Sequence, residues 1–414
     1  MPPDPRTSPD GSPRVLAGPL SATGFKGDSP VLNLYPLYPA SSIQYPVSSA
    51  LGLYVHIPFC RRRCDYCAFA THAVSDASVW ERYVDVLIRE IEMWRGRFKA
   101  ATVFFGGGTP TLLPVSLIGR VTAAIRSSFD VDPAAEWTIE GHPATLMGER
   151  GRECLGRLTQ LGFNRLSLGV ESVHNATLAK LSRDYDFDDV CDVVGAAREQ
   201  GFSNINLDLI LGWPWESDKQ HRESISKACE LAPTHLSVYP LKIEEGTPFF
   251  RQNVPVNPDF QADEYMATHE ILQGLGWEHY EVANFARTGF RSRHNLIYWH
   301  FGDYLGLGVS AASKIGQRSF SNARDIRNYT ACLREGRSPC ADEEVLDARE
   351  IDRRKVIMGL RLKEGVRSNS ARSLFQEDIL SDFKNLDYLR EETGSLRFTP
   401  SGWLVSNQLY LHAV

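Results

Sequence analysis

The chain has 414 residues, of which 43% are hydrophobic and 23% charged, and its formal net charge is −6. This balance is typical of a globular protein with a large core, and it excludes a fibrous, collagen-like or wholly disordered chain. The lack of a basic excess argues against a nucleic-acid-binding surface. No apolar run reaches the roughly 20 residues that a membrane helix needs. Because the N-terminus also lacks an apolar export signal, we expect a cytoplasmic protein without membrane contact, whose eight cysteines are reduced.

The first 45 residues are predicted to form a disordered N-terminal extension. Pro, Ser and Gly dominate this segment, and no hydrophobic periodicity lasts long enough to offset the entropy of ordering. Two domains are predicted to follow. The first is a βα domain over residues 46–290, and the second is a smaller α+β domain over residues 291–414 that resembles a winged helix.

Short apolar strands alternate with helices from Leu51 onwards. Strands are predicted at 53–57, 101–105, 137–140, 165–170, 205–211 and 235–241, and helices at 79–98, 117–129, 153–161, 190–200 and 224–231. Repeated βα units build a parallel sheet with right-handed crossovers, and six units are too few for a standard eight-stranded barrel. The predicted fold is therefore α/β, an open partial barrel of six βα units with functional groups at the carboxyl ends of its strands. Beyond residue 250 the alternation breaks, with a helix predicted at 261–275 and strands at 280–285 and 396–399.

Three cysteines, Cys60, Cys64 and Cys67, follow the first strand with the spacing C-x3-C-x2-C. Three thiolates this close can face one metal centre, and they are one ligand short of the four that a [4Fe-4S] cluster needs. A zinc site completed by His56 or His72 is the alternative. Since the loop lies at the mouth of a βα barrel and not in a small closed finger, we favour the cluster. The other five cysteines lack such spacing and are expected to be small core residues.

The segment from Tyr54 to Phe69, YVHIPFCRRRCDYCAF, resembles the cluster loop of radical S-adenosylmethionine enzymes. More narrowly, the chain resembles the oxygen-independent coproporphyrinogen III oxidase superfamily and its haem-chaperone relatives (HemN/HemW-like) from about residue 50 to the C-terminus. The resemblance implies that the three cysteines bind three irons and that S-adenosylmethionine chelates the fourth. An electron from a donor such as flavodoxin or ferredoxin would then cleave this cofactor to methionine and a 5′-deoxyadenosyl radical.

The resemblance also assigns the residues that bind the cofactor. Residues 106–109 match the glycine segment that binds the methionine amino group, and glycines let backbone amides approach a ligand closely. The matched cofactor-binding residues are Tyr54, Tyr66, Gly107, Gly108, Thr109, Glu140, Glu171, Arg183 and Asp208. Relatives use the positions of Arg183 and Asp208 for a second S-adenosylmethionine. Glu171 stands where most relatives have glutamine, and its added charge suits a sulfonium.

Two positions bear on porphyrin chemistry. Phe69 stands where the oxidase has a further cysteine, which argues against a porphyrinogen-active oxidase. The motif H-N-x-x-Y-W, typical of the haem-chaperone branch, is intact from His294 to Trp299. A non-catalytic haem-binding chaperone with haem at His294 is therefore one hypothesis, and a purely structural His–Trp cluster is equally compatible with the motif.

Changes around the barrel mouth favour a different main hypothesis. His142 stands where Asn is usual before Pro143, Tyr185 replaces a histidine, and residues 211–216 replace a Gly-Leu-Pro-Gly pattern. An altered pocket with retained cofactor residues predicts a radical enzyme that uses two S-adenosylmethionines to C-methylate or cyclopropanate an sp2 carbon of a small aromatic metabolite. His142 and Tyr185 are candidate catalytic bases. Candidate stacking partners for a flat substrate, with ordinary core aromatics as the alternative, are Trp213, Trp215 and Tyr239.

Overall fold

A computed structural model describes residues 50–413, and the predicted disordered extension over residues 1–45 lies outside the described residues. In chain order the strands are β1 (Leu51–Ile57), β2 (Phe59–Cys60), β3 (His72–Ala73), β4 (Lys99–Gly107), β5 (Asp130–Gly141), β6 (Arg165–Glu171), β7 (Asn204–Leu211), β8 (His235–Pro240), β9 (Glu278–Glu281), β10 (Asn284–Ala286), β11 (Tyr304–Leu307), β12 (Ala312–Ile315), β13 (Arg318–Asn322), β14 (Cys340–Val345), β15 (Val366–Arg367), β16 (Leu389–Glu392) and β17 (Ser395–Phe398).

The helices run between and after these strands. They are α1 (Ala77–Met93), α2 (Val115–Ser128), α3 (Gly148–Gln160), α4 (Asn175–Lys180), α5 (Phe187–Glu199), α6 (Asp218–Glu230), α7 (Pro248–Arg251), α8 (Pro258–Gly274), α9 (Arg293–Trp299), α10 (Ile326–Arg334), α11 (Ala348–Gly359), α12 (Ser368–Arg372), α13 (Glu377–Asn385), α14 (Pro400–Leu404) and α15 (Ser406–Tyr410). Short 3₁₀ turns lie at Pro110–Leu112 and Pro143–Thr145. Among residues 50–413, no helix combines the length and apolar character needed to span a bilayer.

Six strands form the open barrel. β1, β4, β5, β6, β7 and β8 lie side by side in chain order, every neighbouring pair is parallel, and at least one helix separates each strand from the next. Apolar side chains on the outer face of these strands are fully buried against the helices, among them Val103, Ile139 and Leu168. This topology confirms the predicted α/β partial barrel of six units.

The sheet continues past both edges of the barrel, which the sequence did not predict. Beyond β8, the segment predicted as one strand over 280–285 is an antiparallel hairpin of β10 and β9. Beyond β1, β11 joins in parallel and β12 to β14 follow antiparallel, which gives a sheet of twelve strands. The C-terminal part of the chain, from Val356 to Tyr410, forms a separate hydrophobic cluster. This cluster includes side chains of the small sheet β15–β17–β16. The domain limits predicted at 46–290 and 291–414 stay a prediction.

Helix α1 shows how local sequence sets an element and where it ends. Asp76 caps its first turn by accepting a hydrogen bond from the backbone N–H of Ser78 (2.9 Å). Its buried face includes Val84, Leu87 and Ile91, at helical spacing. The helix ends before the predicted limit at residue 98, because Gly96 turns the chain with a φ of +72° and β4 begins at Lys99.

A buried carboxylate joins α1 to the added edge of the sheet. Glu90 accepts hydrogen bonds from the backbone N–H of Gly308 (2.7 Å), the Asn322 amide (2.6 Å) and the Tyr329 hydroxyl (2.6 Å). Burial raises the pKa of Glu90 to about 7, against the effect of these three donors. The side chain therefore connects the first helix of the barrel to β13, α10 and the segment after β11.

We expect Glu90→Ala to lower the free energy of unfolding by roughly 3 kcal/mol or more, because it leaves three buried donors without an acceptor. Urea unfolding followed by circular dichroism measures this. Glu92→Ala, an exposed change on the same helix, should stay within about 0.5 kcal/mol of the parent. Equal unfolding midpoints for the two variants would show that Glu90 does not stabilise the edge.

Candidate active site at the barrel mouth

The three predicted cluster cysteines lie on one loop at the carboxyl end of β1. Cys60, Cys64 and Cys67 are half-buried free thiols, and the backbone N–H of Cys67 donates to the carbonyl of Cys64 (3.1 Å). Burial raises the pKa of all three thiols, that of Cys64 to about 11. Binding of a metal centre would therefore have to release their protons.

The glycine segment approaches this loop so closely that a side chain would collide with it. A Cβ on Gly108 would lie 2.6 Å from the Phe59 carbonyl oxygen and 2.9 Å from Cys60 Sγ. Next to it, Thr109 places its hydroxyl 3.8 Å from the same sulfur. The structure thus brings the glycine motif and the cysteine motif together. A cradle that only glycine permits, beside three free thiols, fits an iron–sulfur cluster with a nucleoside cofactor beside it.

The zinc alternative finds little support in the geometry. His56 is buried, and its ring nitrogens lie 3.1 Å from the Tyr54 hydroxyl and 3.1 Å from the Ala70 carbonyl. In the described part of the chain, no three His, Cys, Asp or Glu side chains converge as one ion requires. A cluster needs no such convergence, since each thiolate binds a different iron. The donor set therefore favours the cluster over zinc.

Two predicted carboxylates face the lumen of the barrel from β5 and β7, the strands on either side of β6. Glu140 accepts a hydrogen bond from the backbone N–H of Gly107 (3.0 Å), and burial with the nearby Asp208 raises the pKa of Glu140 to about 8. Asp208 accepts from the Asn206 amide (2.8 Å) and the Ser167 hydroxyl (3.2 Å), and burial raises its pKa as well. A cationic ligand between these groups would favour their ionised forms.

A buried hydrogen-bond network surrounds Arg183. Its guanidinium donates to the Tyr66 hydroxyl (2.5 Å), to Glu171 Oε1 (2.7 Å) and to His142 Nε2 (2.8 Å). Glu171 adopts a φ of +68° at a register shift between β6 and β7, an uncommon conformation for a residue with a side chain. The irregular backbone turns this carboxylate towards Arg183, so four residues that the sequence singled out separately form one network.

The two predicted catalytic bases are both engaged in hydrogen bonds within the protein. His142 Nε2 already accepts from Arg183, and burial together with Arg183 lowers the pKa of His142 to about 3. The Tyr185 hydroxyl donates to the carbonyls of Gly169 (3.0 Å) and Val170 (3.2 Å), and burial raises its pKa. Either side chain would have to give up these hydrogen bonds before it could take a proton from a substrate, and the assignment of His142 and Tyr185 as bases stays a prediction.

The predicted stacking residues differ in their surroundings. Trp213 is 1% exposed and packs edge-on against Tyr66 (5.8 Å between ring centroids), with Trp215 stacked on its other side (5.5 Å). The backbone N–H of Phe249 in the same cluster donates to the carbonyl of Asp65 (3.0 Å). These aromatic side chains therefore form a small hydrophobic core that supports the cysteine loop. The third predicted residue, Tyr239, is 42% exposed.

The His294 motif closes the floor of the barrel. Its imidazole is 1% exposed, with Nδ1 2.7 Å from the Thr102 hydroxyl and Nε2 2.8 Å from the Tyr298 hydroxyl. The backbone N–H of His294 donates to Glu136 (3.0 Å), and the ring stacks on Phe104 (5.1 Å between centroids). Burial lowers the pKa of His294 to about 3, so the imidazole is neutral. Sequence reasoning missed Thr102, Phe104 and Glu136 because they lie on distant strands, and no spacing pattern connects them to the motif.

Comparison with known proteins identifies the class. The sequence model of the radical SAM superfamily matches residues 54–228. The chain is 30% identical to "Heme chaperone HemW" of Lactococcus lactis subsp. lactis over 371 residues, which cover 86% of this chain and 95% of the relative. It is also 30% identical to the protein of that name from Bacillus subtilis, over 86% of this chain and 97% of the relative. The chain therefore belongs to the HemN/HemW-like family of radical SAM proteins, whose cofactors are a [4Fe-4S] cluster and S-adenosylmethionine.

A solved structure confirms the fold. The coproporphyrinogen III oxidase HemN from Escherichia coli superposes with a TM-score of 0.76 at 24% identity, over 87% of this chain and 89% of that one. At this level of identity the likeness shows the radical SAM fold alone.

The prediction of a C-methylating or cyclopropanating enzyme is wrong. The relatives matched over nearly their whole length are named haem chaperones, which overturns the prediction of a methyl-transferring enzyme. The physical reason lies in the residues that suggested a changed pocket. Trp213 packs in a small core and His142 accepts a hydrogen bond from Arg183, so contacts within the protein account for these departures.

We expect Cys64→Ala to lose the iron–sulfur cluster. Three thiolates bind three of the four irons, and without Cys64 a second iron would have no protein ligand. Iron and sulfide analysis with electron paramagnetic resonance after anaerobic reconstitution measures this. The matched control is Cys154→Ala on α3, which should bind as much iron as the parent. Zinc in place of iron in the parent protein, or a full cluster in Cys64→Ala, would contradict the assignment.

Proposed function

We propose that the protein is a haem chaperone that binds haem as its cargo. The observation that carries the proposal is the 30% identity to proteins named haem chaperones, which extends over 95% and 97% of their length. Such coverage includes the barrel, the cysteine loop and the His294 motif together. In this proposal the protein binds and releases haem without changing it chemically, and a small aromatic metabolite is not a substrate.

His294 is the candidate ligand of the haem iron, and its surroundings suit that role in one respect. Iron binds the neutral imidazole, and burial keeps His294 neutral. Ligating histidines commonly hold their second nitrogen in a hydrogen bond that orients the ring, and the Thr102 hydroxyl lies 2.7 Å from Nδ1. We therefore assign Nδ1 to Thr102 and Nε2 to the iron.

Access to Nε2 requires a local movement. In the described conformation the Tyr298 hydroxyl occupies Nε2 at 2.8 Å, and both residues belong to the seven-residue helix α9. We propose that α9 shifts when haem binds, so that Tyr298 releases the ring while Thr102 keeps it. The free energy needed to break the Tyr298 bond, about 1 kcal/mol, is small beside that of an iron–imidazole bond.

The barrel mouth would hold the family's cofactors in this function. Cys60, Cys64 and Cys67 would ligate the cluster, and the cradle at Gly108 would admit S-adenosylmethionine beside it. When bound, the pair supplies one-electron chemistry. A second S-adenosylmethionine at Arg183 and Asp208 stays a prediction, and its carboxylate would have to share Arg183 with Glu171, Tyr66 and His142.

We expect His294→Ala to lose the specific Soret band that the parent protein develops in an anaerobic haem titration. Tyr298→Phe should bind haem severalfold more tightly, because Nε2 no longer has a hydrogen bond to give up. His300→Ala, an exposed histidine one residue beyond the motif, should titrate like the parent.

Two results would count against this assignment. A parent protein without a saturable Soret band would reject haem binding as the function. An unchanged band in His294→Ala, with Tyr298→Phe equal to the parent, would leave His294 as a structural residue of the barrel floor.

A further inference from the structure

The loop that carries the cysteines also carries three consecutive exposed arginines, Arg61, Arg62 and Arg63. Arg61 pairs with Asp184 (2.7 Å), and Arg63 Nε donates to the carbonyl of Cys67 (3.3 Å). Within residues 50–413, the side chain of Arg62 has neither a hydrogen bond nor an ion pair. A chain with a net charge of −6 thus presents a local excess of positive charge directly beside its cysteines.

Two exposed aromatic side chains flank these arginines. Phe69 follows Cys67 by two residues and is 69% exposed. Phe250 is 47% exposed, and its neighbour Phe249 donates its backbone N–H to Asp65 of the cysteine loop (3.0 Å). An apolar centre with a charged rim is a common composition of protein interfaces. We call Arg61, Arg62, Arg63, Phe69 and Phe250 the basic face.

The acidic residues near this face do not cancel its charge. Asp184 is already paired with Arg61, and Glu244 pairs with Lys242. Glu245 is exposed next to Gly246, whose carbonyl accepts a hydrogen bond from Arg251, a further cation on the turn of Phe250. Arg62, Arg63 and Arg251 remain without an acidic partner among the ion pairs of the described residues. Set against the carboxylates of Asp65 and Glu245, likewise unpaired in that part of the chain, they leave the face a small positive excess.

We propose that the basic face is the docking surface of an acidic one-electron carrier protein. A protein donor must approach the cluster over the loop that holds it, and the basic face is the exposed side of that loop. Opposite charges on the two partners accelerate encounter and set its orientation, which suits a brief complex of small area. The donor would lose one electron to the cluster, and no bond would form or break. The inference depends on the cluster and is independent of haem binding.

Charge substitutions at Arg62 test the proposal. The cluster-loaded parent, Arg62→Glu, Arg62→Lys and Arg349→Glu are mixed with reduced flavodoxin, an acidic carrier, and cluster reduction is followed by stopped-flow absorbance. Arg349 is an exposed residue on α11 and serves as the control for charge alone. Dithionite, a small reductant that needs no docking surface, is the second reductant, and iron content is measured for every variant.

We expect the second-order rate constant with flavodoxin to fall severalfold in Arg62→Glu at low ionic strength, and to remain near the parent value in Arg62→Lys and Arg349→Glu. The difference should shrink as salt screens the charges. Reduction by dithionite should be equal in all four proteins, which separates docking from damage to the cluster.

Three results would overturn the proposal. Equal rates with flavodoxin for the parent and Arg62→Glu would show that the face does not dock the carrier. An equal loss in Arg349→Glu would show that net charge alone acts. Binding to vesicles with anionic lipids that Arg62→Glu abolishes, while its flavodoxin rate is unchanged, would assign the face to a membrane surface. Haem titration of Arg62→Glu, expected to match the parent, keeps this test separate from the haem assignment.

Discussion

The close contact between the glycine segment and the cysteine loop constrains the rest of the site. Gly108 leaves no room for a side chain beside Phe59 and Cys60, so β4 and the loop after β1 can meet only where glycine stands. Gly107 continues the contact, because its φ of +113° turns its N–H to Glu140 while its α-carbon faces the ring of His56. A bound cofactor would therefore meet main-chain groups on one side and a carboxylate on the other.

Local pattern predicted the barrel well because each βα unit is encoded within about 30 residues. Alternating apolar runs and glycine stops gave all six parallel strands, with limits that moved by a few residues, as at Gly96. The sheet edges were not predictable in this way. β11 pairs with β1 across some 250 residues of chain, and no local periodicity records which distant strand a short apolar segment joins.

The same distinction applies to the site. Motif spacing indicated the cysteines, since three thiolates must lie near one another to bind one metal centre, while the resemblance to the family supplied the glycine segment and Arg183. Spacing could not show that Thr102 and Glu136 bind His294, or that Trp213 lies in a small core. A tryptophan has the same sequence signature whether it stacks on a substrate or on Trp215. The methyl-transfer hypothesis failed at this step, because it treated residues that pack on each other as independent changes to a pocket.

Strand β1 connects the two ends of the barrel that the proposed functions use. At the floor, Gly52 lets the motif helix approach, since a Cβ there would lie 3.0 Å from Ile297 and 3.2 Å from the His294 ring. At the mouth, His56 backs the glycine segment, and its carbonyl accepts a hydrogen bond from Tyr83 of α1 (2.8 Å). The proposed shift of α9 at the floor would therefore act on the strand that also supports the cofactor cradle.

The lumen between these ends is polar, and the neutrality of His294 would make the proposed movement of α9 feasible. Tyr54 lies between them, and its hydroxyl is bonded to His56 while Tyr298 and Glu140 both act on it electrostatically. Because His294 is neutral, its ring can lose the Tyr298 hydroxyl without leaving a buried charge unpaired, which is the costly event in a protein interior. A buried ion pair at the same place would hold α9 in position, because breaking it would leave a buried charge unpaired. In the proposed function, a neutral imidazole between two hydroxyls would allow one of these partners to be exchanged for iron.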